Sequence, residues 1–362
     1  MSASSKLACV IAAGGTAGHV RPALAVGEAL RERGLTVTFA GTPDRVESRL
    51  VPEAGFPLDT FPVSGLPRKP SAAQIRAAWR ASAAPAHCLR ILARRRPDVV
   101  LGAGGYVAGP MVLAARLRGV PAALTEADAH LGLANRLAAP FAKRLFFAYE
   151  IPGRNSARVR VVGRPIPVAH LVGSRESGRE LFGLPPTGPV VGVFGAYAGA
   201  LSINEMAVEA WAATGPAVIH QAGARDFARV TSRVARDDYV VIEATDDFGE
   251  LLRCVDLAVS RAGGTVWELA AAGTPAILVP YPYATADHQT LNARHFERGG
   301  GAIVVPDAEV DRVPALVDEL LAAPERLAAM RGAMLSLARP DAADVIADEL
   351  VALAEEREAS VS

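Results

Sequence analysis

The sequence predicts an α/β protein of two domains, and three observations carry that prediction. The chain has 362 residues, more than one compact core of ordinary size holds. Short apolar runs of strand length alternate along it with helical patterns. In both halves a glycine-rich turn follows a strand and enters a helix, so the halves repeat one design. Composition narrows the class further. Lys+Arg and Asp+Glu are 38 each, and this balance argues against a general nucleic-acid binder. The three cysteines, Cys9, Cys88 and Cys254, lie far apart and form neither a disulfide framework nor a metal-ligand spacing, as suits a reducing compartment. The apolar run at 7–13 is short for a signal segment and leads straight into glycines, so it reads as a buried first strand. No apolar run approaches the ~18 residues of a membrane span, which points to a soluble protein that at most touches a membrane.

Taken in order, residues 7–13 form a strand, Gly14-Gly15-Thr16-Ala17-Gly18-His19 a turn, 23–33 a helix and 36–40 a second strand. The turn reads G-G-x-x-G, without the G-x-G core of the dinucleotide fingerprint, and no acidic residue ends the second strand. A hydride-transfer enzyme is therefore disfavoured. Residues 71–96 are helical and mix Ile75, Trp79, Leu89 and Leu92 with Arg76, Arg80, Arg90 and Arg94-Arg95-Arg96. Two readings fit that mixture: contact with anionic lipid, or a surface helix whose apolar side meets the core. A strand at 98–101 leads to the glycine turn Gly102-Ala103-Gly104-Gly105-Tyr106, and a strand at 122–124 to Thr125-Glu126-Ala127-Asp128. The strand at 158–162 closes the first half. Prolines and glycines from Gly163 to Pro186 mark the linker. Strands at 190–194, 217–221, 239–242, 257–259, 276–279 and 302–305 then alternate with helices, and Ala-, Leu- and Glu-rich helices end the chain.

The chemistry concentrates in residues 260–292. Ala262-Gly263-Gly264-Thr265 enters a helix that Gly273-Thr274-Pro275 stops, and a strand and a polar loop with Gln289 and Asn292 follow. In an open α/β sheet, ligands bind at the carboxyl ends of the strands. A turn entering a helix presents free N–H groups and a positive dipole end, which suit a diphosphate. Glu268 suits the vicinal hydroxyls of a ribose, and Gln289 and Asn292 suit sugar hydroxyls. An ordinary βαβ turn with a solvated glutamate remains the alternative. His19, at the mouth of the first turn, either takes a proton from a hydroxyl nucleophile or merely packs the helix start. Asp246-Asp247 are adjacent and read as a helix N-terminus, so neither a metal nor any other cofactor is implied.

These loops together resemble the MurG family of N-acetylglucosaminyltransferases over nearly the whole chain. The resemblance rests on GGTAGHVRPALAV at 14–26, FAGTPDRVESRLVPEAGF at 39–56, VSGL at 63–66, GAGGYVAGP at 102–110, GAYAGALSIN at 195–204 and the 260–292 stretch. It implies two Rossmann-like domains with parallel sheets facing across a cleft, the glycosyltransferase B fold. It further implies an acceptor- and membrane-binding domain at 1–163, a UDP-sugar-binding domain at 164–340 and a terminal helix at 341–362. By resemblance Gly14, Gly15, Thr16, Gly18, Gly104, Gly105 and Tyr106 hold the acceptor diphosphate, with Glu126 and Asp128 beside them, and His19 is the catalytic histidine. Gly199 and Ala200 lie at the donor diphosphate, Thr245 at the uracil, Arg261 and Gly263 in the following loop, Glu268 at the ribose and Gln289 at the donor sugar, and Arg261 with the N–H groups of the Gly199 and Gly263 turns is expected to stabilise the leaving diphosphate. Arg164 and Tyr197 are added to the donor contacts.

The chain also departs from the family pattern. Thr125-Glu126-Ala127-Asp128 stands where His-Glu-Gln-Asn is usual, Tyr197 where a small Ser is usual, and His288-Gln289 where two glutamines are usual. Pro167 takes the place of a linker arginine, for which Arg164 substitutes from three residues back. The expected reaction is inverting transfer from UDP-N-acetylglucosamine to an undecaprenyl-pyrophosphate-linked muramyl peptide, at the cytoplasmic face of the plasma membrane and on anionic lipid. An epimerase, a transferase for another acceptor, and a non-catalytic UDP-binding scaffold are the alternatives.

Overall fold

The structure, a computed structural model, describes residues 6–63, 72–195 and 199–361, and within the helix Ala72–Arg95 the side chains from Ala83 onward. The chain forms two compact units. One holds Met1–Pro167 with Asp341–Ser362, the other Val168–Pro340.

Among the described residues the first unit is built on seven strands: β1 (Ala8–Ala12), β2 (Thr36–Gly41), β3 (Leu58–Thr60), β4 (Val99–Gly102), β5 (Ala122–Glu126), β6 (Arg144–Phe147) and β7 (Val159–Val161). They pair in parallel in the order β3-β2-β1-β4-β5-β6-β7. The second unit has β8 (Val190–Phe194), β9 (Ala217–Gln221), β10 (Tyr239–Ile242), β11 (Leu257–Ser260), β12 (Ala276–Leu278) and β13 (Ala302–Val304), again parallel, in the order β10-β9-β8-β11-β12-β13. Helices cover both faces of a parallel sheet, so its central strands are apolar throughout rather than alternating. The strand VVLG at β4 and VVGVF at β8 are buried at every position.

Both orders reverse once, between β1 and β4 in the first unit and between β8 and β11 in the second. Connections leave in opposite directions from such a pair and open a crevice at its carboxyl ends. Each sheet therefore places one glycine turn from each strand of its central pair at its crevice.

Two strands have no counterpart in the sequence reading. β3 is a three-residue edge strand, LDT, and its buried Asp59 breaks any apolar pattern. That carboxylate meets Arg94 at 2.5 Å and Arg95 at 2.8 Å. β6, RLFF, buries Leu145, Phe146 and Phe147 on both faces, a run too short to separate strand from helix by period. In the helix Ala72–Arg95, Ala84, Cys88, Ile91 and Leu92 lie in the core, so this part follows the core reading. Arg68 and Lys69 and the side chains of Arg76, Trp79 and Arg80 lie outside the described residues.

The helix Ala342–Val361 packs on the first unit. Ile346, Ala347 and Leu350 are fully buried with Ile11, Val26 and Leu30. Arg33 pairs with Asp344 at 3.0 Å and Asp348 at 2.6 Å, and Arg144 with Glu349 at 2.8 Å. These partly exposed pairs add little beside the apolar contact. In the linker region, Ser174 caps the helix Arg175–Phe182 reciprocally with Ser177, and Gly183 ends it in the left-handed conformation at φ 66°. Among the described residues no helix is long and apolar enough to cross a membrane.

Candidate active site

In the first unit the turn after β1 and the turn after β4 touch. Gly105 has φ +74°, and a Cβ there would lie 2.2 Å from the carbonyl oxygen of Gly14. A Cβ on Gly104 would lie 2.6 Å from the His19 ring. Only glycine lets the second turn approach the first so closely. His19, in the first turn of the helix Ala17–Glu32, is half-buried, with Nδ1 3.3 Å from the Thr16 hydroxyl. Burial pushes its pKa down, and the Arg164 guanidinium adds to the shift, opposed by the carboxylates of Asp128 and Glu47. The ring is therefore neutral at pH 7 and can accept a proton. Tyr106 projects into solvent at 57% exposure.

Glu47 supports this turn from below, and the sequence reading assigned it no role. It begins the helix Glu47–Glu53 and is fully buried. Its Oε2 accepts from the Gly15 N–H at 2.9 Å. Its Oε1 accepts from the Thr42 N–H at 2.9 Å and the Thr42 hydroxyl at 2.6 Å. A Cβ on Gly14 would lie 2.4 Å from Oε1, so the carboxylate fills the space beneath the loop. One acidic group thus ties the ends of β1 and β2 together. Such a residue looks like an ordinary helix start in sequence, because its partners lie up to 32 positions away.

The loop after β5 is held from within. Glu126 Oε2 accepts from the Gly132 N–H at 2.9 Å and from Asn135 Nδ2 at 3.0 Å. Asn135, also unassigned in sequence, donates as well to the Thr125 carbonyl at 2.9 Å. Burial raises the Glu126 pKa, and these donors oppose the rise. Glu126 thus shapes the loop, while Asp128 acts on His19 through its charge. Arg164, one of the donor contacts implied by the resemblance, lies in the first unit and donates from Nη2 to the Gly18 carbonyl. It comes just after β7, and its guanidinium reaches back to the turn after β1.

In the second unit the turn after β8 runs through Gly199 and Ala200 into the helix Leu201–Trp211, for which Ala200 is the N-cap. Gly199 has φ +78°, and a Cβ there would meet the Ala222 carbonyl oxygen at 2.5 Å. Tyr197 lies outside the described residues. Beneath this turn is a buried chain of polar groups. Asn204 Nδ2 donates to the Ala222 carbonyl at 3.0 Å and to Asp226 Oδ2 at 3.1 Å. Its Oδ1 therefore faces His220 Nε2 at 3.0 Å, which must donate. His220 Nδ1 is then the lone pair that accepts from the Tyr239 hydroxyl at 3.0 Å. Burial lowers the His220 pKa to about 4, in keeping with this neutral tautomer.

The turn after β11 enters the helix Thr265–Ala272 with Gly264 as N-cap. Among the described residues a Cβ on Gly263 would meet nothing within 4 Å, which leaves that face open to a ligand. Arg261, expected at the leaving diphosphate, is buried and engaged internally. Nη1 donates to Val279 at 3.0 Å and Asp307 at 2.6 Å, and Nη2 to the Ser202 hydroxyl at 2.8 Å. A buried guanidinium requires such acceptors, and they make Arg261 a strut between the two turns. Glu268 lies in the first turn of that helix, with Oε1 2.6 Å from His170 Nδ1. Gln289 Oε1 accepts from the Tyr281 N–H at 2.9 Å, and the Thr245 hydroxyl oxygen from the Asp247 N–H at 3.0 Å. Asn292, read as sugar-facing, is 1% exposed and donates to the Ala262 carbonyl at 3.2 Å, so it braces the turn instead.

Two units of Rossmann strand order, each with glycine turns at its switch point, define the glycosyltransferase B architecture. Residues 9–147 match the Glycosyltransferase family 28 N-terminal domain, and residues 190–346 the C-terminal domain of the same family. A UDP-N-acetylglucosamine--N-acetylmuramyl-(pentapeptide) pyrophosphoryl-undecaprenol N-acetylglucosamine transferase of Halorhodospira halophila is 41% identical, over 93% of this chain and 96% of the relative. The enzyme of that name from Acidithiobacillus ferrooxidans is 43% identical, over 93% and 95%. The crystal structure of Acinetobacter baumannii MurG is similar with a TM-score of 0.77 at 29% identity, covering 95% of this chain and 99% of that one. The chain belongs to the MurG family. A UDP-GlcNAc 2-epimerase from Neisseria meningitidis, at 16% identity and a TM-score of 0.67, shares the fold alone.

Proposed function

We infer that the protein transfers N-acetylglucosamine from UDP-N-acetylglucosamine to the lipid-linked muramyl pentapeptide, forming the disaccharide precursor lipid II. Family membership at 41–43% identity over more than nine-tenths of the chain carries the substrates. The observation that carries the mechanism is the neutral imidazole of His19 at the β1/β4 switch point, between the two touching glycine turns. The acceptor hydroxyl oxygen attacks the anomeric carbon, the bond from that carbon to the UDP oxygen breaks, and His19 takes the hydroxyl proton. One displacement inverts the anomeric centre. Free N–H groups at the starts of the helices Leu201–Trp211 and Thr265–Ala272 stabilise the departing diphosphate. Arg261 keeps those turns in place and Glu268 accepts from the ribose, while Gln289 meets the donor sugar.

The lipid-linked acceptor of the relatives supports peripheral attachment at the cytoplasmic membrane face, with anionic lipid as the partner surface. The test is a transfer assay with UDP-N-acetylglucosamine and a lipid-pyrophosphate muramyl pentapeptide in vesicles, with product mass as the readout. Product is expected with the native chain. His19→Ala is expected to lose at least about 100-fold in turnover while still binding UDP. Unchanged turnover in that variant removes His19 as the base, and equal rates on anionic and zwitterionic vesicles remove the lipid preference.

A further inference from the structure

We propose that His170 is a positioning residue of the donor site, a clamp that presents Glu268 to the ribose. The proposal deepens the reading of Glu268 given above and rests on it. His170 ends the short helical turn Val168–His170 and is 7% exposed. Its ring packs 5.2 Å from that of Phe248, which lies 6.2 Å from Phe194 at the end of β8. The ring is thus fixed by the core of the second unit. Nδ1 stands 2.6 Å from Glu268 Oε1. A carboxylate oxygen accepts, so Nδ1 carries the proton and donates.

The terminal torsion of a glutamate is broad and roughly two-fold, so an untethered carboxylate samples many orientations. Anchoring Oε1 fixes the plane of the group and leaves Oε2 to accept from a ribose hydroxyl. Glu268 sits where this matters. It is one turn into the helix whose N-terminus faces the open side of Gly263, so a nucleotide with its diphosphate at that terminus brings its ribose alongside. Ordering one long side chain on binding weakens affinity about three- to tenfold, and His170 removes that cost in advance. Nothing in the local sequence indicates the pairing, because the partners are 98 residues apart.

The experiment measures binding of UDP and of its 2′-deoxy and 3′-deoxy analogues to the full chain, with donor KM and kcat alongside. The native protein is expected to prefer UDP over at least one deoxy analogue. His170→Ala is expected to weaken UDP about three- to tenfold and leave that analogue nearly unchanged, so discrimination narrows. Donor KM rises in step and kcat at saturation stays within about twofold. His170→Asn, whose amide nitrogen can stand near the Nδ1 position, is expected to restore discrimination. Equal weakening of all three ligands, or no change, overturns the clamp. Should His170→Ala lose its fold, His170→Phe keeps the ring against Phe248 without the donor and carries the same test. Glu268→Ala separates the two levels. If it retains native discrimination, the ribose reading itself fails. If it abolishes discrimination and His170→Ala does not, only the clamp fails.

Discussion

Replacing Glu47 by alanine removes one acceptor group from three donors at once. Each hydrogen bond to an ionised group contributes about 1.5–3 kcal/mol, and the three here span 2.6–2.9 Å. The losses are unequal. Gly15 is half-exposed, and its N–H can turn to water. Thr42 is 5% exposed, so its N–H and hydroxyl are left buried without their acceptor. Allowing for that partial rescue, Glu47→Ala is expected to cost about 3–5 kcal/mol in the first unit, a large share of the ~5–15 kcal/mol that holds a domain folded. Glu47→Gln keeps an oxygen for Thr42 but sets an amide NH₂ against the Gly15 N–H. It is expected to cost about 1–2 kcal/mol and to disturb the catalytic turn more than the fold. Hydrogen exchange of peptides covering β1 and β2, read beside acceptor kinetics, separates the two effects. If Glu47→Ala leaves exchange within about 1 kcal/mol of native and transfer unchanged, the carboxylate does not support the turn and the reasoning fails.

Two further outcomes are expected. Gly105→Ala puts a methyl group against the Gly14 carbonyl oxygen at a φ of +74°. Acceptor kcat/KM is expected to fall roughly 100-fold with UDP affinity unchanged by calorimetry, and a loss of UDP affinity of equal size would argue that the two turns serve the donor. His220 links stability to acid. Its folded pKa is about 4, below the ordinary value of about 6.5, so its contribution is fully present above pH 6.5 and is lost as pH falls toward 4. The stability advantage of the native chain over His220→Gln is expected to narrow by about 2–3 kcal/mol between pH 7.5 and 4.5, and an advantage independent of pH would refute the buried neutral tautomer.

Much of the fold is legible in the sequence because its signals are local. Gly14-Gly15, Gly104-Gly105, Gly199 and Gly263 each follow an apolar run and precede a helical pattern, and each lies at the carboxyl end of a parallel strand. Among the described residues eleven of the thirteen strands are read directly, and β6 is missed because its apolar run is too short to show a period. β3 fails because its buried Asp59 breaks the apolar pattern and pairs with Arg94 and Arg95, some 35 residues away.

By itself, then, the sequence determined the two parallel α/β units, the glycine turns and the placement of His19 and Glu268 beside them, since strand period, turn chemistry and helix start are properties of neighbouring residues. Tertiary structure alone decided which polar groups remain for a ligand. Glu47, Asn135, Asn204 and Asn292 are fixed by partners inside their units. So are Arg164, through the Gly18 carbonyl, and Arg261, through Asp307. A buried polar side chain must find its partner wherever the fold brings one, and no local pattern records where that is.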